Sequence, residues 1–331
     1  GLLGPSIASL MLVYASLAAV FGFVAVAWGA DRFVFGAAGL ARNLGVSTLV
    51  IGLTIVAFGT SAPEMLVSGV AAWEGLPGMG IGNAIGSNIT NVTLVLGAAA
   101  LARPLRVASR LLRRELPILM GIMLGTYLFL ANGVLGRYEG ILLLLGMLAL
   151  VGWIIHLGLH ERPGDADPLT HGLDEIPDAV PTGRATLWFV IGLLALLGGS
   201  RLLVWGASQL AHSIGVSDLV IGLTVVAFGT SLPELAASVA AARRNEDDIA
   251  VGNVVGSNMF NLLGVLGLPG VIAPGPIDPK ILTRDYPVMI GTTLLLLLMS
   301  RGDKQHHLGM SQGLLLLTLY FAYTAFVFVR G

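Results

Sequence analysis

A chain of 331 residues with 55% hydrophobic and only 11% charged side chains cannot cover a soluble surface, where roughly 25% charge is usual. Its net charge of −1 gives no footing for nucleic-acid binding. The absence of cysteine excludes disulfides and thiolate metal sites.

Runs of about 20 apolar residues span a hydrocarbon core, and the chain offers ten such segments. The first half gives 8–42, 46–73, 80–101, 110–132 and 138–159. The first of these is too long for a signal-peptide core and lacks a basic leader, so it reads as a retained helix. Residues 160–184, with their Pro, Asp, Glu and Gly, read as a hydrophilic linker too short to fold as a soluble domain. The second half gives 185–212, 216–242, 248–272, 283–300 and 309–329. The expected organisation is therefore a first five-helix unit (1–159), a linker (160–184) and a second five-helix unit (185–331).

An internal repeat decides the fold class. GVSTLVIGLTIVAFGTSAPE, ending at Glu64, returns 170 positions later as GVSDLVIGLTVVAFGTSLPE, ending at Glu234. The same offset aligns Gly82-Asn83 with Gly252-Asn253, Gly86-Ser87-Asn88 with Gly256-Ser257-Asn258, Asn91 with Asn261, and Gly36-Ala37 with Gly206-Ala207. Five spans are an odd number, so the second half enters the membrane from the opposite side. This predicts an all-α integral membrane protein of ten helices in two inverted five-helix repeats, with broken helices at a midplane site. Lys and Arg fall mainly in the loops after odd-numbered spans: Arg103 to Arg114, Arg162, Arg184, Arg243, Arg244, Arg301 and Lys304. That side is expected to be cytoplasmic, which puts both termini outside the cytoplasm of a cell (inner) membrane.

Glu64 and Glu234 lie deep in apolar spans, where a carboxylate is expensive and functional by default. The bland reading of one such Glu is a protonated side chain bonded to a neighbouring helix. A symmetric pair argues instead for a shared cation. Pro63 and Pro233 lack an amide hydrogen, and Gly59 and Gly229 loosen the helix before them. Carbonyls freed in this way must be satisfied within protein or a cavity. Thr60, Ser61, Thr230 and Ser231 add hydroxyl oxygens. Ser87 with Asn91, and Ser257 with Asn261, share helix faces, with Asn83 one turn earlier. Oxygen-only sites suit hard cations, whereas the nearby glycines equally suit close helix packing. The glycosylation patterns at Asn88 and Asn91 fall inside a span and are set aside. Glu74, Glu246, Asp247 and Asp248 read as solvated loop residues, with a cation-attracting mouth as the alternative. Asp31 and Arg201, repeat-equivalent but opposite in charge, read as side chains snorkelling at helix ends. No His/Glu spacing suggests a zinc enzyme, and no nucleophile is paired with a base.

These motifs resemble the two alpha repeats of the sodium/calcium exchangers in the cation/calcium antiporter superfamily. The chain is similar to small prokaryotic members without a regulatory domain. The resemblance implies no enzyme activity and no cofactor, only Ca²⁺ and Na⁺ as transported ligands, with H⁺ as an alternative coupling ion. The lipid bilayer is the expected surrounding, and no obligate protein partner is inferred. The resemblance further implies calcium ligation by Glu64, Glu234 and the carbonyls of Thr60 and Thr230. One sodium set would comprise Ala57, Thr60, Ser61, Glu64 and Ser87, and its mirror Ala227, Thr230, Ser231, Glu234 and Ser257. Asn91 and Asn261 would complete the centre. Some relatives carry an acidic residue where this chain has Asn261, a departure that argues for potassium independence. The function expected is Ca²⁺/Na⁺ antiport by alternating access. A proton/calcium or other divalent-cation antiporter is the alternative, with a passive cation channel behind it.

Overall fold

The computed structural model describes residues 5–160, 180–214, 227–302 and 307–330. The repeat segment 215–226 and most of the linker lie outside the described residues. Helix α1 (Pro5–Leu44) runs unbroken for 40 residues and stops where Gly45 takes a left-handed φ of +66°, a conformation that costs glycine nothing. Ser47 then caps the next helix, its hydroxyl accepting from the Val50 amide.

That helix is broken. α2 (Thr48–Thr60) and α3 (Ala62–Trp73) meet at an angle of 43°. The break is Ser61 (φ −82°, ψ 1°), and Pro63 follows in the first turn of α3, where a missing amide hydrogen leaves no bond unmade. The second half repeats this backbone: α8 (Ala227–Thr230) and α9 (Leu232–Arg243) are separated by Ser231 at φ −87°, ψ 3°, with Pro233 in the first turn. The breaks thus lie two residues beyond Gly59 and Gly229. Those glycines instead admit α7 (Thr182–Ser213), since a Cβ on them would meet Leu193 and Val204.

The remaining helices are α4 (Pro77–Ala102), α5 (Leu116–Leu130), α6 (Arg137–His160), α10 (Asp247–Ile272), α11 (Tyr286–Gly302) and α12 (Met310–Arg330). Among the described residues, seven helices are long and apolar enough to cross a membrane, or eight if the bent α2–α3 pair is one span. Two of the ten expected spans fall short of that measure. The turn leading into α5 carries Arg113, Arg114 and Glu115, and the span containing α8 and α9 begins outside the described residues.

Burial orders the bundle. α10 is buried along its apolar length and α4 along most of it, while most of the apolar surface of α1, α6, α7 and α12 is uncovered. α4 and α10 therefore lie at the centre, and α1, α6, α7 and α12 face outward with apolar surfaces such as Phe21, Phe23, Leu145 and Leu194. α2 crosses α10 at small residues: a Cβ on Gly256 would lie 2.5 Å from the Leu53 carbonyl oxygen. The close-packing role of Gly252 and Gly256 is thereby realised.

α1 and α7 pair along a glycine seam. Gly22, Gly29 and Gly36 face Gly192, Gly199 and Gly206, and an added Cβ at any of the six would come within 3 Å of backbone on the partner helix. Small residues allow that approach in membranes.

Two short antiparallel ladders clip the ends of the bundle. β1 (Leu105–Arg106) pairs with β4 (His307–Leu308), and β2 (Val134–Leu135) pairs with β3 (Gly275–Pro276). Near the first clip, Asp247 is buried rather than solvated and accepts from Arg103 Nη1 and the Arg106 amide. Glu246 pairs with Arg42 at 3.1 Å. Asp31 is likewise no helix-end snorkeller: it lies well inside α1 and forms a two-pronged ion pair with Arg244.

Candidate cation site

The two helix breaks bring both glutamates to the centre of the protein. Glu64 and Glu234 sit in the first turns of α3 and α9, each 1% exposed. The first-half break faces the second-half carboxylate, since the Ser61 hydroxyl donates to Glu234 Oε1 at 3.1 Å. Thr60 Oγ1 bonds Asn253 Oδ1 at 3.0 Å and the Ala57 carbonyl at 3.3 Å. Ala57, Thr60, Ser61, Ser87, Ser231, Ser257, Asn91 and Asn261 are all buried. Thr230 is half-buried, and the side chain of Ala227 lies outside the described residues.

The hydrogen bonding of this core is incomplete on the acceptor side. Both carboxylate oxygens of Glu64, Glu234 Oε2, Asn91 Oδ1, Asn261 Oδ1 and Ser257 Oγ are buried without a hydrogen-bond partner. Buried polar atoms are normally paired, and each exception calls for a physical reason. Every one of these atoms is an oxygen able to ligate a hard cation. Among the described residues, no group of three His, Cys, Asp or Glu is placed to hold a metal ion, and the acids described at this site are Glu64 and Glu234.

The helix geometry reinforces the cluster. α4 and α10 widen into π-helical turns that begin at Asn91 and Asn261 and end at Val95 and Val265. Such single-turn insertions frequently mark functional sites. Asn91 Nδ2 donates across the repeat boundary to Asn258 Oδ1 at 3.1 Å, which leaves Asn91 Oδ1 unpaired. Periodicity does not reveal π turns, because one extra residue in a helix leaves its apolar pattern nearly intact.

Four residues beyond the expected ligands hold the glutamates in place. Asn253 Nδ2 reaches the Glu234 carbonyl (3.4 Å) and Ser238 Oγ (3.0 Å). Asn83 Nδ2 reaches the Glu64 carbonyl (3.3 Å) and Ser68 Oγ (3.2 Å). Ser68 and Ser238 are detectable in the sequence as repeat-equivalent hydroxyls one turn after each Glu. A second symmetric feature is not evident from the motifs. Buried Glu115 and Asp285 are repeat equivalents, each paired with the preceding arginine, Arg114 or Arg284.

The profile of the family described as sodium/calcium exchanger protein matches residues 14–156 and 184–329. The CaxA protein of Alkalimonas amylolytica is 48% identical over 96% of this chain and 99% of its own length. The sodium/calcium exchanger MaX1 of Methanosarcina acetivorans is 33% identical, covering 87% of this chain and 91% of its own. Solved structures of the sodium-calcium exchanger NCX_Mj, among them one soaked with Na⁺ and Sr²⁺, superpose with a TM-score of 0.82 at 33% identity. They cover 95% of this chain and 98% of theirs.

Proposed function

Because the chain belongs to the sodium/calcium exchanger family, and is thus an integral membrane cation/calcium antiporter of small prokaryotic type, we propose that it exchanges Ca²⁺ for Na⁺ through the Glu64–Glu234 site. The observation that carries this reading is the set of buried, unpartnered oxygens on Glu64, Glu234, Asn91, Asn261 and Ser257.

The chemistry follows from charge and geometry. Two carboxylates buried together repel unless positive charge or protons lie between them. One Ca²⁺ neutralises both, as do two Na⁺, so the two cargoes exclude one another. Thr60, Ser61, Ser87 and their mirror residues Thr230, Ser231 and Ser257 supply neutral oxygens that can accommodate a further Na⁺ without added acid. The carbonyls of Thr60 and Thr230 would join the carboxylates around Ca²⁺, and those of Ala57 and Ala227 would join the flanking sodium sites. Asn261 keeps the centre neutral.

The proposed architecture is ten spans in two inverted halves, 1–159 and 185–331, with both termini outside the cytoplasm. The contacts between the ends of spans support it. Arg42 meets Glu246, and Arg103 meets Asp247, at one end; Arg137 meets the Val271 carbonyl, and Ile277 the Gly133 carbonyl, at the other. Ten alternating spans require that grouping.

The test is transport itself. Proteoliposomes loaded with Na⁺ should take up external ⁴⁵Ca²⁺ and stop when the sodium gradient is dissipated. Uptake that instead follows an imposed pH gradient in sodium-free buffer would replace sodium coupling by proton coupling. Currents far above carrier turnover would point to a channel.

A further inference from the structure

The ion pair between Asp31 and Arg244 has an unmade mirror image. Arg244 Nε and Nη2 lie 2.6 Å from the two oxygens of Asp31. Shifting each partner by the 170-residue repeat turns Asp31 into Arg201 and Arg244 into Glu74. Both charges invert, so the mirror pair is again acid with base. The local backbone is also equivalent. Arg244 ends α9 at φ −89°, ψ 5° and Glu74 ends α3 at φ −78°, ψ 3°. Each is followed by a left-handed residue, Asn245 or Gly75.

Arg201 and Glu74 are both exposed and make no ion pair with each other in this structure. Glu74 closes the C-terminal end of a helix, where the macrodipole disfavours an acid and favours a base such as Arg244. It therefore sits in an electrostatically poor position unless a cation approaches. The packing is lopsided in the same sense. α1 lies along α9, whereas α7 makes no comparable contact with α3. On α3, Leu66, Val70 and Trp73 stay 59%, 47% and 81% exposed, while the counterparts of the first two, Ala236 and Ala240, are partly covered.

We propose that Asp31–Arg244 and Glu74–Arg201 are alternating latches, each joining the α1–α7 pair to one half of the core in one of the two access states. The glycine seam makes α1 and α7 a single body. When that body slides toward α3, the first pair parts and the second forms. On the proposed orientation, Asp31–Arg244 closes the cytoplasmic side and Glu74–Arg201 closes the outer side. The two open states would then be balanced by pairs of the same chemistry, so neither is trapped. This inference rests on the alternating-access reading above.

The chain has no cysteine, so paired cysteines can be introduced without background. An arginine–carboxylate pair holds its Cα atoms beyond the usual reach of a direct disulfide, so the probe is a short bis-methanethiosulfonate linker that reductant can cleave. Variants D31C/R244C and E74C/R201C should both cross-link in membranes, each should arrest ⁴⁵Ca²⁺ exchange, and reductant should restore it. Adding Asp31→Asn to E74C/R201C should raise its cross-linking rate about two- to fivefold, the shift expected from losing one partly exposed ion pair. Cross-linking of D31C/R244C with none of E74C/R201C, in Na⁺, in Ca²⁺ or in neither, would overturn the latch. Sodium-dependent ⁴⁵Ca²⁺ exchange by the unmodified protein, measured alongside, tests the antiport independently of the latch. Misfolding is separated by charge reversal: Asp31→Arg with Arg244→Asp should recover exchange lost by either change alone. Failure of that rescue in a correctly inserted protein also counts against the latch.

Discussion

Glu64 is the side chain on which the site turns, because neither of its buried oxygens has a partner. Glu64→Gln or Glu234→Gln removes one of two negative charges and should abolish ⁴⁵Ca²⁺ exchange while leaving an unchanged gel-filtration profile. Exchange that persists in the purified variant would remove the paired-carboxylate site from the mechanism. Asn253 acts at one remove, bonding the Glu234 carbonyl, Ser238 and Thr60. Each such bond is worth about 1 kcal/mol. Asn253→Ala should therefore weaken the apparent affinity for Ca²⁺ roughly tenfold or more, and Asn253→Asp should alter the Na⁺ dependence by adding charge. An affinity series indistinguishable from wild type would make Asn253 purely a packing residue. The buried polar residues of the candidate site were legible in the sequence because the GTSxPE and GNxxGSNxxN motifs occur twice. Hydrogen-bond directions were not legible, since whether an Asn oxygen is spent on a neighbour or left free depends on the helix opposite.

Among the elements, the α1–α7 seam shows how a helix pair can be strong without a hydrophobic driving force. Lipid is as apolar as any side chain, so close van der Waals contact and backbone approach must supply the association. A Cβ at Gly29 would stand 2.6 Å from the Leu196 amide nitrogen, whereas one at Gly125 would meet nothing within 4 Å. Gly29→Ala should cost about 1–3 kcal/mol, as overpacking does, and lower the thermal midpoint in detergent. Gly125→Ala should leave that midpoint unchanged or raise it. Equal midpoints for the two variants would mean that the seam yields without strain. Only Gly36 and Gly206 of the six seam glycines stood out in the sequence; the rest belong to a seven-residue spacing whose meaning depends on the partner helix. The broken helices were foreseen from proline and glycine, but the break itself falls at Ser61 and Ser231, because proline is tolerated within the first helical turn and sets the start of the new segment.

For the whole molecule, the two ladders at opposite ends of the bundle, Leu105–Arg106 with His307–Leu308 and Val134–Leu135 with Gly275–Pro276, tie each half to the other. The proposed orientation puts Ser109 on the cytoplasmic side and Asn132 on the outer side. In intact cells, a membrane-impermeant maleimide should label Asn132→Cys and not Ser109→Cys, and permeabilisation should expose both. The reverse pattern would invert the assignment of the two access states without disturbing the site.

Composition and repetition alone determined that this chain enters a membrane, that two equivalent segments carry matching polar motifs, and that each motif holds one glutamate. Those properties are carried by hydropathy and by local motifs, which need no partner to be recognised. The tertiary structure decided which oxygens remain unpaired, where α4 and α10 widen into π turns, and that Asp31 meets Arg244 while Arg201 and Glu74 stay apart. A sequence with two similar halves describes both members of each mirror pair alike. Only the packed bundle, in which α1 lies against α9 and α7 does not lie against α3, breaks that equivalence.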